Sequence, residues 1–301
     1  MKFNDDYCVF ILCYNRPDMI YTLNALDDAN YKGNYLLVLG DDDPKFDEYV
    51  ERYGENRIVS FSKKDYSWVD KQDNFGRDNC VVYARNAVFD IAEKCGYKYF
   101  VVLDDDYTKL RYRFERDSKL ASRYCVDADE LFRTMFELLE SSDKITCVGL
   151  AQTGDYIGGL GSAILTGKTI RKIMNSWFCS TDKRFYFTGT INEDTTAYTT
   201  LGSRGKLFLT VQHAGVNQVD TQQTHGGLVD VYLDLGTYIK SFYSVMSCPS
   251  SVKIAMMGDK HYRMHHKIKW DNTVPKIVSG RYKKGDNKNE NCNNDSKGCS
   301  S

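Results

Sequence analysis

The chain lacks several things that would have settled its class at once. Its longest uninterrupted apolar stretch, Cys8 to Tyr14, is about seven residues, far short of the roughly 20 a bilayer-spanning helix needs. No membrane span is expected. The N-terminus, MKFNDDYC, has no basic segment followed by an apolar block, so no signal peptide is expected and the predicted location is the cytoplasm. The ten cysteines include no CxxC pair or other metal-ligand spacing; several sit inside apolar runs (Cys8, Cys13, Cys80, Cys147), which suits reduced core thiols. Proline is scarce at 4 copies, and no internal repeat is visible. Net charge is also nearly absent, at -1, but the balance is uneven. Residues 253–288 hold eight Lys and two Arg against three Asp, and residues 107–123 hold six Lys or Arg against two acids.

What is present reads as one large α/β domain over 1–284, followed by a polar tail at 285–301 with no apolar content, GDNKNENCNNDSKGCSS, expected to be disordered. The run Tyr7 to Tyr14 suits a strand buried on both faces. Asn15-Arg16-Pro17 and a helical pattern follow, with Pro17 in the first turn. Further strands are predicted at Tyr35 to Leu39, Arg57 to Phe61 and Tyr99 to Leu103, and helices around 45–53 and at 79–95. Beyond Asp106 the expectations are a helix at 127–140, a strand from Ile145 to Leu150 and a strand-like piece from Ser162 to Leu165. A helix from Lys168 to Trp177, a strand at Phe185 to Phe187 and a helix opening at Ile191 complete the pattern. Alternating strands and helices predict a mostly parallel sheet covered by helices. Ligands bind such sheets outside the carboxyl ends of the strands. Asn15, Asp41 to Asp43 and Asp104 to Asp106 all fall at those ends.

The stretch KYFVVLDDDY is the sharpest of these signals. Four apolar residues run into three carboxylates, which repel one another and cost several kcal/mol, about 3 or more, if buried unpaired. Either a positive partner sits there or the run is a solvated turn. Asp104 and Asp106 share one side of a continued strand, with Asp105 opposite.

The stretch NFGRDNCVVYARNAVFDIAEKCGYKYFVVLDDDY resembles the nucleotide-sugar core of the GT-A-fold glycosyltransferases, in which N-x-G and A-R-N precede an Asp-x-Asp at a strand end. Tyr14-Asn15-Arg16, Asp41 to Asp43, the Gly158-Gly159 loop and Glu193-Asp194 follow the same order, so the likeness spans about 7–200. The C-terminal block from Gln222 to Trp270 resembles the TET-associated glycosyltransferases, found largely in phages, whose members are thought to put sugars on hydroxymethylated pyrimidines in DNA. The resemblance implies a nucleotide-sugar half at about 1–106 and an acceptor half at 107–284. It also implies a UDP-sugar donor, UDP-glucose foremost, with Mn²⁺ or Mg²⁺ held by Asp106 and Asp104 and by a late histidine, His265 or His266. A divalent cation there would stabilise charge on the leaving diphosphate, and hard carboxylate oxygens suit it.

For the donor the resemblance implicates Tyr14, Asn15, Arg16, Asp41, Asp42, Asp43, Arg77, Arg85, Asp104, Asp105, Gly158 and Gly159. Plain alternatives stand beside several of these. Asp41 to Asp43 also make an ordinary turn before Pro44, Arg85 also suits a structural ion pair, and either histidine also suits a surface contact. His213 and His225 have less support. Glu193 and Asp194 form the acidic first turn of a helix capped by Asn192; the resemblance implies that Asp194 takes the acceptor proton in an inverting transfer. The stretch YTKLRYRFERDSKLASRY interleaves cations with aromatics, a combination that tracks phosphates and stacks bases. Tyr107, Lys109, Arg111 and Arg113, with Arg263 from the other basic segment, are the acceptor-binding candidates. A solvated basic loop is the plain reading. A glycosyltransferase of DNA, one of protein or glycan, and a non-catalytic nucleic-acid-binding module on the same fold are the three functions considered. A sugar-nucleotide pyrophosphorylase would need an N-terminal Gly-rich loop with Arg and Lys, which is missing.

Overall fold

A computed structural model of the chain describes residues 7–71, 78–174, 176–219, 233, 235–236, 238–258 and 262–277. Arg77, His225 and the 285–301 tail lie outside the described residues, as does the NFG of the donor-core stretch.

Four strands form the first half of the sheet: β1 (Tyr7–Leu12), β2 (Asn34–Gly40), β3 (Ile58–Phe61) and β4 (Tyr99–Asp104). They lie parallel in the order β3-β2-β1-β4. β1 is central because every one of its residues, YCVFIL, is buried; only a strand covered on both faces can carry such a run. Helices α1 (Tyr21–Asp28), α2 (Phe46–Tyr53) and α3 (Val82–Lys94) fill the crossovers. α3 ends at Gly96, whose φ of +77° turns the chain back toward β4. α4 (Ala128–Glu140) begins where the Asp127 carboxylate accepts the Glu130 N–H, 2.8 Å away.

The second half is mixed. β8 (Trp177–Ser180) runs antiparallel to β4, and β7 (Ile145–Gln152) runs antiparallel to β8 and parallel to β9 (Leu207–Gln218). β5 (Tyr107–Arg116) and β6 (Lys119–Tyr124) form a hairpin that extends the sheet beyond β9. Its two-residue turn, Asp117-Ser118, has positive φ at both positions, 51° and 56°, as the twist of a tight hairpin demands. The basic segment 107–124 is therefore sheet and not loop. α5 (Glu193–Ser203), α6 (Ile239–Ser247) and a separate two-stranded ribbon, β10 (Val252–Met257) with β11 (Arg263–Ile268), complete the chain.

The predicted elements from β1 to β7 form within a few residues of their expected bounds. Three later expectations are corrected. The helix predicted from Lys168 to Trp177 is replaced by turns through Arg171, with Trp177 already in β8, because Trp177, Phe178 and Cys179 are buried in the sheet between β4 and β7. Phe185 to Phe187 is not a strand. The Asn86 side chain donates to the Phe187 carbonyl (3.0 Å) and accepts its N–H (2.9 Å), supplying what a neighbouring strand would have supplied. Ser162 to Leu165 likewise adopts turns. No helix among the described residues is long and apolar enough to cross a membrane.

Strand direction decides where the chemistry can gather. The carboxyl ends of β1, β2, β3, β4, β7 and β9 all reach one rim of the sheet, and β5 starts there.

Candidate active site

A cavity of about 170 Å³ opens on that rim. The end of β1 gives it Tyr14 and Arg16, β2 gives Gly40, and the segment after β3 gives Phe61 and Lys63. The entry to α3 gives Asn79 to Val81 and Ala84, and the end of β4 gives Asp104, Asp105 and Asp106. One end is therefore acidic and the other mixed apolar and cationic.

The three aspartates have three different settings. Asp105 is fully buried and takes both the Nε (2.7 Å) and the Nη2 of Arg16, the paired geometry a guanidinium makes with a carboxylate. Asp104 lies 3.5 Å from Nη2 of Arg85. Asp106 accepts two hydrogen bonds from the Gln218 amide, at 3.0 and 2.9 Å. Burial raises Asp104 to about 6, opposed by Arg85 and reinforced by Asp106. It raises Asp105 to about 6 against the pull of Arg16, and it raises Asp106 too. Buried carboxylates outnumber the cations that reach them, so the triplet resists full ionisation.

Arg85 ties this rim to the second acidic pair. It is 2% exposed, sits against the rings of Trp177 and Phe187, and forms an ion pair with Glu193 as well as reaching Asp104. Glu193 rises to about 7, through burial first, with Arg85 opposing and Asp194 adding. Asp194 is 7% exposed, and its Oδ1 accepts the N–H of Thr195 at 2.6 Å. Asn192 precedes the pair with φ of 53°, a left-handed conformation that Asn tolerates better than most residues. Its side chain does not cap α5. Its amide instead donates to the Lys240 carbonyl and the Ser244 hydroxyl, both at 2.8 Å, fastening α6 to the start of α5.

Other candidates are placed less centrally. Asp43 is buried and accepts the N–H of Asn15 and of Lys45, each at 2.9 Å, which makes it a fastener of the turn. Asp41 and Asp42 are exposed. Asp42 pairs with Lys63 at 2.8 Å, and Gly40 permits this: a Cβ there would lie 2.6 Å from Asp42 Oδ1. Lys63 also stands 5.5 Å over the Tyr14 ring. Gly158 and Gly159 adopt positive φ, 96° and 63°, in the turn after β7.

The acceptor candidates of the hairpin are largely engaged within the chain. Tyr107 is 1% exposed and packed in the core, so it offers no surface for stacking. Lys109 pairs with Asp28, Arg111 lies 4.3 Å over the Tyr124 ring, and Arg113 lies 4.9 Å over the Tyr156 ring. Arg263 is exposed on β11. His213, on β9, meets the Arg113 carbonyl.

The late histidines make contacts within the chain. Among the described residues no group of three His, Cys, Asp or Glu side chains converges as a metal site. His265 Nδ1 meets the His266 carbonyl, and His266 Nδ1 lies 3.5 Å from the Asn192 amide. The ribbon packs on α6, and burial together with neighbouring cations lowers both, His266 to about 3. Asp104 and Asp106 by themselves still fit Mg²⁺ or Mn²⁺, since such ions take one or two protein carboxylates and complete their shell with waters and substrate phosphates.

Comparison with known proteins decides the family. The family model of the TET-associated glycosyltransferases matches residues 7–227. The chain belongs to this family. Its glycosyltransferase span covers the whole cavity, the aspartate triplet and Glu193-Asp194, while α6 and the β10–β11 ribbon lie beyond it. None of the curated proteins matches the chain. Among solved structures, glucosyl-3-phosphoglycerate synthase from Mycobacterium tuberculosis in complex with Mg²⁺ and UDP is 12% identical, with 89% of each chain covered and a TM-score of 0.46. The same protein with Mn²⁺ and UDP-glucose is 11% identical over 89% of this chain and 88% of that one, also at 0.46. A likeness this loose places no residue of the glycosyltransferase site.

Reasoning from sequence missed Lys63 and Gln218. Gln218 meets Asp106 from 112 residues along the chain, and a lone glutamine late in a strand carries no signal of such a meeting. Lys63 was one of many exposed-looking lysines.

Proposed function

We propose that this glycosyltransferase moves a sugar, glucose foremost, from a UDP-sugar to the hydroxymethyl group of a modified pyrimidine in DNA, with inversion. The observation that carries the reading is a cavity on the sheet rim ending in the aspartate triplet, joined through one buried arginine to the acids that open α5. The donor's base would lie toward Tyr14 and Lys63 and its diphosphate toward Asp104 and Asp106. Those two carboxylates would hold Mn²⁺ or Mg²⁺, which supplies positive charge to the departing diphosphate.

The chain's own groups supply the rest. The acceptor hydroxyl attacks the anomeric carbon, the bond from that carbon to the diphosphate oxygen breaks, and its electron pair leaves with UDP. Asp194 takes the hydroxyl proton on the oxygen not engaged by Thr195. Glu193 and Arg85 orient α5 and keep its first turn against the rim. One observation favours a different acceptor: Lys109, Arg111 and Arg113 are committed to intrachain partners, which leaves a protein or glycan hydroxyl as the second reading.

The deciding experiment incubates the protein with UDP-glucose, Mn²⁺ and either hydroxymethylated or unmodified DNA, then weighs the nucleosides. A hexose on the hydroxymethylated base alone supports the proposal. Consumption of UDP-glucose with a protein or glycan acceptor, and none with DNA, replaces it with the second reading.

A further inference from the structure

The β10–β11 ribbon is antiparallel, with Lys253 opposite Lys267, Ala255 opposite His265 and Met257 opposite Arg263. The alternate pairs are Val252 with Ile268, Ile254 with His266 and Met256 with Met264. Directly opposed residues share a face, so the ribbon has two unlike faces. The second set of pairs includes the face that docks. Val252 is buried, Ile268 packs against the core, and His266 meets Asn192. The first set carries the charge, and Lys253, Met257, Arg263 and Lys267 are all exposed.

Among the described residues no acid compensates that charge. None of Lys253, Arg263 and Lys267 has an ion-pair or hydrogen-bond partner among the described residues, whereas Arg16, Lys63, Lys172 and Arg184 are each matched to a carboxylate. Two lysines directly opposite one another destabilise a strand pair, and a lone two-stranded ribbon is marginal to begin with. In the free protein water screens this repulsion, and no described carboxylate adds to that. A polyanion would do so.

The geometry points to the outward face of β10–β11 as a binding surface for double-stranded DNA, with Lys253, Lys267 and Arg263 contacting phosphates on the two walls of one major groove. Arg263 and Lys267 are four residues apart on one strand, roughly 13 Å at the usual rise. The major groove is about 12 Å wide and admits a two-stranded ribbon. The ribbon's other face meets Asn192, the residue before Glu193 and Asp194, so a duplex held here lies across the ribbon from the proposed base. This placement rests on the DNA-acceptor reading above and adds the surface and the strandedness.

The test measures binding of duplex DNA by fluorescence anisotropy at several salt concentrations. The proteins compared are the parent, Lys253→Gln, the Lys253→Gln/Lys267→Gln double variant and the triple variant that adds Arg263→Gln. Each phosphate contact contributes about 0.9 to the slope of log affinity against log salt. The double variant should lose about 2 from that slope and bind at least about 10-fold more weakly, and the triple variant should lose about 3. Melting of each variant checks the fold, and the single variant serves if the double one melts early. An unchanged slope in a variant that melts like the parent overturns the proposal. So does parent protein that binds single-stranded DNA or polyglutamate as tightly as duplex. The melting shift produced by UDP-glucose with Mn²⁺ is read in parallel. If that shift is absent while the slope responds, the donor reading fails and the ribbon surface stands.

Discussion

The acidic rim and the β10–β11 ribbon answer the same problem, like charges held close together, in opposite ways. At the rim the charges are buried and fastened by Arg16, Arg85 and Gln218, yet the acids still outnumber their partners. On the ribbon the charges are exposed and unmatched by any described side chain. Burial makes the difference. A buried carboxylate must be matched within the fold or be partly protonated, whereas an exposed lysine is kept solvated by water at little expense. An internal surplus of acid therefore suits a small cation and a diphosphate. An external surplus of base suits a large anion that arrives from solution.

The largest effect expected at the rim is on turnover. Asp106→Asn and Asp194→Asn should each lower the transfer rate by about 10³-fold or more, measured as UDP release. They should differ in donor binding. Asp194→Asn should keep the melting shift given by UDP-glucose with Mn²⁺, and Asp106→Asn should lose it, as EDTA should in the parent. A loss of the shift in both variants would remove the division between donor and acceptor acids.

Arg85→Met should cost about 3–5 kcal/mol in urea unfolding, since it leaves buried Glu193 and half-buried Asp104 without their guanidinium. A cost below about 1 kcal/mol would mean that the two acids are already neutral. The pH dependence is smaller and has a definite sign. Glu193 is raised from 4.5 to about 7, so between those values the folded chain keeps a proton that the unfolded chain has released. Stability from this group is full below 4.5 and is lost as pH rises through about 7. Ligand-free protein should melt higher near pH 5.5 than near pH 8, and Glu193→Gln should flatten the trend. At the ribbon the smallest effect is expected. Lys253→Gln should leave unfolding within about 0.5 kcal/mol of the parent, or raise it slightly, because it removes a like-charge pair. A clear destabilisation would show that Lys253 has a structural role and would erase the contrast with the rim.

How much of this was legible beforehand depended on sequence distance. β1 was visible because YCVFIL is a run only a twice-covered strand can carry, and the triplet was visible because carboxylates at such a strand's end need an explanation. β8 was misread because a four-residue apolar strand and a buried helical turn share one pattern. Phe185 to Phe187 looked like a strand, but its backbone was satisfied by a side chain, Asn86, and not by a neighbouring strand. The contacts of His265 and His266 with Asn192 and with their own backbone follow from the ribbon's register, which no local pattern announces. The hairpin's cations resembled a nucleic-acid surface, yet most of them stack on nearby rings or pair with an acid.

By itself the sequence determined the order of strands and helices, the family, and the placing of acids at strand ends, because periodicity and strand-end chemistry are local properties that neighbouring residues impose on one another. Only the tertiary structure decided which acid received a cation. Arg16 went to Asp105, Arg85 was shared between Asp104 and Glu193, and Asp106 was left with the Gln218 amide. Apart from Arg85 and Asp104, 19 positions apart, those meetings join residues about 90 to 110 positions apart, and the strength of an electrostatic contact depends on distance and burial in space, neither of which is written in chain order.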